Sequence, residues 1–131
     1  MSKPVLEFRI ALTVDDYDRI VEIYREGLGL EPSALWVTGD DRAILFEMGR
    51  ATIEIFDEPH AAVVDQIEVG RRVSGQIRFA LQVPDVEAAV ARLVAIGVEL
   101  VAPPVLTPWN DTNARLRTPD GMQITLFEVK S

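Results

Sequence analysis

The chain has 131 residues, of which 48% are apolar, and this is enough for one domain with a buried core. Its 21 acidic side chains outnumber 13 basic ones, so the formal net charge is −8. That charge argues against binding to nucleic acid or to an anionic membrane, because both are polyanions. The absence of cysteine excludes disulfides, thiolate zinc sites and cysteine nucleophiles.

The first residues are polar or mixed in character and do not resemble a secretory signal peptide. No apolar run in the sequence has the length of a membrane span. We therefore expect a cytoplasmic protein with no membrane partner.

The first half of the sequence predicts a strand, a helix and three further strands. Residues 9–14 alternate between apolar and polar side chains, as a half-buried strand does. Residues 20–28 carry an apolar stripe at helical spacing, and Asp15 or Asp16 is placed to cap the start of that helix. The remaining predicted strands of this half are 34–38, 43–48 and 52–56.

The second half repeats this order. The pattern Arg-apolar-Ala-Leu-polar-Val-x-Asp at 9–16 recurs at 78–85, and the strand at 52–56 aligns with 123–127. A repeat of this kind indicates two copies of one supersecondary unit.

Between the two aligned segments of the second half, the elements also follow the first half. A helix is predicted over 86–97, capped by Asp85, and strands over 100–106 and 114–117. Pro103 and Pro104 would confine the first of these strands to a sheet edge, since proline donates no hydrogen bond. The chain thus reads as a single domain, 1–131, with two modules at about 5–57 and 76–129. The linker at 58–75 has a short helix predicted at 61–67.

Strand alternation also predicts a second face, opposite the core, that combines polar and aromatic side chains. These side chains are Arg9, Thr13, Glu54, Phe56, Arg78, Gln82, Gln123, Thr125 and Phe127. Two curved sheets related by a repeat can close around a groove lined by such faces, and we expect a ligand there.

Several segments together resemble the glyoxalase/bleomycin-resistance/extradiol dioxygenase (vicinal oxygen chelate) superfamily. They are 9–16 with Gly27-Leu28-Gly29-Leu30, the helix beginning at Asp85, and the closing hairpin Thr118-Pro119-Asp120-Gly121 with the strand after it. The resemblance implies an α+β fold in which two βαβββ modules form curved mixed sheets around a shared groove. It also implies a homodimer.

Enzymes of this family hold a divalent metal with four side chains, and the corresponding positions here are Arg9, Glu54, Arg78 and Thr125. Arginine stays protonated in proteins and cannot coordinate a cation. One carboxylate and one threonine hydroxyl are a poor ligand set for a catalytic divalent metal. We therefore predict that the chain uses no metal and no other cofactor.

The resemblance and the altered metal positions together predict a metal-independent small-molecule-binding protein, as in the sequestration of a drug or metabolite. The arginine pair favours a neutral or anionic aromatic ligand over a cationic one. The candidate ligand-binding residues are Arg9, Trp36, Glu54, Phe56, Arg78, Trp109 and Thr125.

Two other functions stay open on the sequence alone. One is a lyase, isomerase or dioxygenase-type enzyme of the same superfamily, with Glu54 as the candidate catalytic residue or with a metal site that the four positions do not reveal. The other is a dimerisation module without an open groove.

Individual side chains have alternatives as well. Arg9, Glu54 and Arg78 form either an anion-binding pocket or a structural ion triad that fills the former metal site. Trp36 and Trp109 either stack on a planar ligand or seal a module or dimer interface.

Three further side chains are assigned ordinary structural positions. Arg115 and Arg117 are predicted to lie on a solvated strand face. His60, the single histidine, is predicted to be a loop residue.

Overall fold

A computed structural model of the protein describes residues 9–51 and 54–130. The fold is α+β with mixed sheets, as the sequence predicts. In chain order the described elements are α1 (Tyr17–Glu22), a π-helix (Ile23–Gly27), β1 (Pro32–Thr38), β2 (Asp41–Phe46), α2 (Glu58–Glu68), β3 (Arg78–Gln82), α3 (Val86–Ala95), β4 (Glu99–Leu106), β5 (Asp111–Arg117) and β6 (Gln123–Val129).

The second half forms a complete βαβββ unit. Its four strands lie in the order β3-β6-β5-β4, with β3 parallel to β6 and the other pairs antiparallel. β4 is an edge strand, as its two prolines predict, and its register with β5 shifts between Ala102 and Val105. Asp85 caps α3 by accepting a hydrogen bond from the Ala88 amide.

The core lies between this sheet and the helices of both halves. Ile23, Leu93, Leu116 and Leu126 are almost completely buried in one cluster. The helices approach closely at Gly27, where an added Cβ would lie only 2.6 Å from Leu93 Cδ2. Glycine at this position therefore lets the first helical segment reach α3.

The first half departs from the prediction of a matching five-element unit. Residues 9–14 and 54–57 are not in strands, while Thr52 and Ile53 lie outside the described residues. Ile10 and Leu12 are 40% and 36% exposed, and Ile55 is 89% exposed. A period-two pattern becomes a strand only where a neighbouring strand supplies hydrogen-bond partners. In the described part of this half, such pairing joins β1 and β2 alone.

The linker helix is longer than predicted, and the face that it buries is largely acidic. α2 spans Glu58–Glu68, and Asp57 caps it by accepting a hydrogen bond from the His60 amide. Its buried side chains are Val64, Asp65 and Glu68. Two of these three are acidic, so α2 must meet cations on the surface that it covers.

Among the described residues, no helix is both long and apolar enough to cross a bilayer.

Candidate functional site

The polar face of the four-stranded sheet carries some residues that the repeat placed opposite the core and others that it did not, namely Asn113 and Arg115. Arg78 lies on β3, Asn113 and Arg115 on β5, and Gln123 and Thr125 on β6. The β5–β6 register pairs Arg115 with Thr125, and the β3–β6 register pairs Arg78 with Gln123. Adjacent strands thus bring two guanidinium groups and a hydroxyl together under α2.

Arg115 is the centre of this face and is fully buried. It forms ion pairs of 2.9 Å with both Asp65 and Glu68 of α2. It also donates hydrogen bonds to Thr125, Ser74 and Gln123. Every nitrogen of its guanidinium therefore has an acceptor, which a buried charge requires. The prediction of a solvated strand face was wrong for Arg115.

Asp65 connects Arg115 to the end of the linker. Its carboxylate accepts hydrogen bonds from the Val73 and Ser74 amides and from the Ser74 hydroxyl, at 2.7 to 2.8 Å. Arg72 adds a second cation at 3.0 Å. Burial acts to raise the pKa of Asp65, but the hydrogen bonds from Ser74, Val73 and Arg115 outweigh it and hold that pKa well below its ordinary value.

Glu68 and Thr125 meet at the same point. The Thr125 hydroxyl donates to Glu68 Oε1 at 2.6 Å and accepts from Arg115 Nε and Arg78 Nη1 at 3.1 and 2.7 Å. One donated and two accepted hydrogen bonds saturate a hydroxyl group. Thr125, one of the predicted ligand-binding residues, therefore has no capacity left for a ligand in this arrangement.

Arg78 differs from Arg115 in what it leaves unused. Its guanidinium makes one hydrogen bond to another described residue, and that bond is to Thr125. Its guanidinium carbon lies 5.9 Å from the centroid of the Phe56 ring. Burial lowers the pKa of Arg78, the Arg115 charge adds to this, and Glu68, Asp65 and Glu54 oppose it. Arg78 is thus a partly desolvated cation with several N–H donors that no other described residue accepts from.

The segment 54–57, which is not in a strand, and the start of α2 form a shallow open depression beside Arg78. It is lined by Glu54, Ile55, Phe56, Asp57 and His60. The Phe56 and His60 rings meet edge to face with centroids 4.5 Å apart. The depression thus combines an aromatic wall with carboxylates, and the Arg78 guanidinium lies over that wall.

The remaining predicted site residues lie apart from the buried cluster. Trp36 on β1 and Trp109 between β4 and β5 are 51% and 48% exposed. Arg9 and Glu54 are also exposed. Glu54 is near enough to act on the Arg78 charge, but these two form no ion pair. Arg115 with Asp65 and Glu68 supplies the ion triad on this face.

The residues at the four family metal positions do not fit a divalent cation. Arg78 offers donors only, and Thr125 has its lone pairs directed at two guanidinium groups. Within residues 9–51 and 54–130, no three His, Cys, Asp or Glu side chains gather as a metal site would require. A cation placed at Thr125 would face two arginines at hydrogen-bond distance from that hydroxyl.

Sequence reasoning missed the three central residues Arg115, Asp65 and Glu68. A signal for them was present. Arg115 alternates in phase with Asn113, and Asp65 and Glu68 are three residues apart and so share one face of a helix. Neither pattern tells which surface the linker helix covers.

A family model described as Glyoxalase/Bleomycin resistance protein/Dioxygenase superfamily matches residues 8–126. The chain belongs to this superfamily. It is 30% identical over 125 residues to the protein YraH of Bacillus subtilis (strain 168), which covers 92% of this chain and 96% of that protein.

Solved structures agree with the superfamily's fold. TnmS3, an antibiotic binding protein from Streptomyces sp. CB03234, matches with a TM-score of 0.64 and 23% identity, over 98% of this chain and 100% of its own. Lactoylglutathione lyase from Agrobacterium tumefaciens matches with a TM-score of 0.58 and 23% identity, over 96% and 95%. The fold of this superfamily member is therefore found in both a binding protein and an enzyme.

Proposed function

We propose that the protein is a metal-independent small-molecule-binding protein whose ligand is a neutral or anionic aromatic compound. Arg78 is the observation that carries this proposal. It stands at a family metal position, is partly desolvated, and uses one hydrogen bond among the described residues. The N–H donors that no other described residue uses suit a ligand oxygen, and a carboxylate would suit them best.

The aromatic part of the proposed ligand would lie against Phe56 and His60. These rings already form an edge-to-face pair, and a planar ligand can extend such a cluster. Glu54 and Asp57 also line the depression, so an acidic group on the ligand would have to lie toward Arg78 and away from them. Trp36 and Trp109 are proposed as further ligand contacts because both are half exposed.

The structural likeness to the antibiotic binding protein TnmS3 supports small-molecule binding as a use of this fold. The lyase, isomerase or dioxygenase alternative needs a catalytic group or a metal ligand set. Of the residues at the four family metal positions, only Glu54 is of a type that binds the metal in family enzymes. The charge of Arg78, which acts on Glu54, would repel a cation there. This makes drug or metabolite sequestration the preferred function.

The protein is further proposed to be a cytoplasmic homodimer. Leu35 and Val37 lie on one face of β1, opposite Trp36, and are 63% and 60% exposed. The two-stranded β1–β2 sheet has both outer edges unpaired within the described part, and such a sheet is marginally stable alone. A second copy would cover these side chains.

Isothermal titration with three matched aromatics tests the proposed ligand class. The probes are 2-naphthoate, 2-naphthalenemethanol and 2-naphthylmethylammonium, which share a ring system and differ in charge. We expect saturable binding of the anionic or neutral probe, and weak or no binding of the cation. Arg78→Met should weaken naphthoate binding by roughly 10- to 100-fold, as loss of a charged hydrogen bond does.

Arg117→Met is the matched control because Arg117 is exposed and pairs with Glu99 on the sheet edge. It should leave naphthoate affinity unchanged. Tightest binding of the cationic probe, or equal losses in the two arginine variants, would refute the assignment of Arg78.

A further inference from the structure

The Glu68 carboxylate receives hydrogen bonds from several groups that all belong to the sheet. Its Oε1 accepts from Thr125 Oγ1 at 2.6 Å and from Arg115 Nη2 and Nε at 2.9 and 3.2 Å. Its Oε2 accepts from Asn113 Nδ2 at 3.0 Å. Four donors on two paired strands thus converge on one carboxylate, and all three residues are at least 95% buried. Such convergence is what a built anion-binding site requires.

The carboxylate comes from a different element, and that element is weakly attached by apolar contacts. The described apolar core draws its members from the other helices and the sheet, and contains no residue of α2. Val64 is the buried apolar side chain of α2, while Val63 is 53% exposed. α2 is therefore held on the sheet chiefly by Glu68 and Asp65.

Ion pairs of this kind attach an element specifically without adding much net stability. The attraction between buried charges is largely offset by the cost of removing them from water. Because the donors contact only the carboxylate oxygens of Glu68, an external carboxylate can occupy them once the Glu68 side chain is removed.

We infer that Asn113, Arg115 and Thr125 form a second binding site, for a small carboxylate, and that Glu68 of the linker helix is its resident occupant. The site adjoins the Arg78 and Phe56 surface, because Arg78 donates to the Thr125 hydroxyl at 2.7 Å. The test below uses neither an Arg78 variant nor an aromatic probe, so its failure and the failure of the proposed function are distinguishable. This site also explains why a carboxylate, that of Glu68, lies at the Thr125 position in place of a metal. The arginine there would repel a metal cation and binds an anion instead.

Chemical rescue of a Glu68 variant by acetate tests this inference. Glu68→Ala removes a CH₂ and a carboxylate, which leaves room for acetate. Thermal unfolding would be followed at neutral pH in sodium acetate and in sodium chloride at equal ionic strength. We expect the Tm of Glu68→Ala to lie below that of the unaltered protein in chloride, and to rise saturably with acetate, as for any ligand that binds the folded state. The unaltered protein should show no such rise.

Three variants distinguish a site from a general salt effect. Glu99→Ala removes an exposed carboxylate paired with Arg117, and its Tm should not respond to acetate. Glu68→Gln keeps the side-chain volume, so the site stays filled and acetate should have no effect. Adding Thr125→Val to Glu68→Ala removes one donor and should weaken the acetate response several-fold.

The inference is overturned by an acetate response no larger in Glu68→Ala than in Glu99→Ala. It is equally overturned if Glu68→Ala folds in neither anion, since acetate would then have failed to replace the carboxylate.

Discussion

Arg115→Ala is expected to lower the free energy of unfolding by about 3–5 kcal/mol, the usual cost of removing one partner from a buried ion pair. Asp65 and Glu68 would remain buried on α2 with their shared cation gone. The Thr125 hydroxyl would lose a donor as well. Urea unfolding followed by circular dichroism measures the change.

Arg117→Ala on the same strand provides the control. Arg117 and its partner Glu99 have half-exposed side chains, and an exposed ion pair contributes about 0–1 kcal/mol. Arg115→Met separates charge from volume, because it keeps most of the apolar stem and still leaves both acids unpaired. A loss for Arg115→Met as small as that for Arg117→Ala would contradict the role given to the buried cluster.

Asp65→Asn is expected to destabilise the protein at neutral pH and to flatten the acid side of its stability profile. The folded-state pKa of Asp65 is depressed, while an unfolded aspartate has a pKa of about 3.9. The stabilisation is therefore complete above about pH 4 and is lost as the pH falls below this toward the folded-state value. The loss at neutral pH should be about 1–3 kcal/mol, the usual cost of weakening hydrogen bonds to a buried charged group, because Arg115 keeps Glu68 as an acidic partner.

Tm measured between pH 2 and pH 7 tests this expectation. The unaltered protein should lose stability steeply below pH 4, and the variant should lose less over the same range. Asp18→Asn is the matched control, because Asp18 forms an exposed pair with Arg42 and should change the profile little. Parallel acid limbs for the unaltered protein and Asp65→Asn would show that Asp65 does not carry this dependence.

The second half of the fold could be predicted from the sequence because each of its elements depends on residues close together in the chain. The Asp85 cap, the stripe of α3 and the edge position of the proline-containing strand each follow from one short segment. The strand predicted at 9–14 failed because its pairing depends on a distant segment. The alternation of apolar and polar residues shows which side chains share a face. It does not show whether a neighbouring strand is present to pair with.

The site was predictable only in part for the same reason. The repeat placed Arg78 and Thr125 on one face, and the structure joins them by a 2.7 Å hydrogen bond. One of the two alternatives for Glu54 was an ion triad with Arg9 and Arg78, but it is Glu68 of the linker helix that contacts Thr125 and Arg115. The position of α2 is set by long-range ion pairs, and no periodicity within its eleven residues encodes the surface that it covers.

Metal content and metal titration test the central claim most directly, namely that an internal ion cluster takes the place of the family's metal. Protein purified without chelator would be subjected to elemental analysis, then titrated with Zn²⁺, Ni²⁺, Mn²⁺ and Fe²⁺ while Tm is followed. The account predicts no stoichiometric metal and no saturable rise in Tm. A metal bound at one equivalent and lost in Glu54→Gln would contradict it, and would direct attention to a metal-dependent lyase, isomerase or dioxygenase.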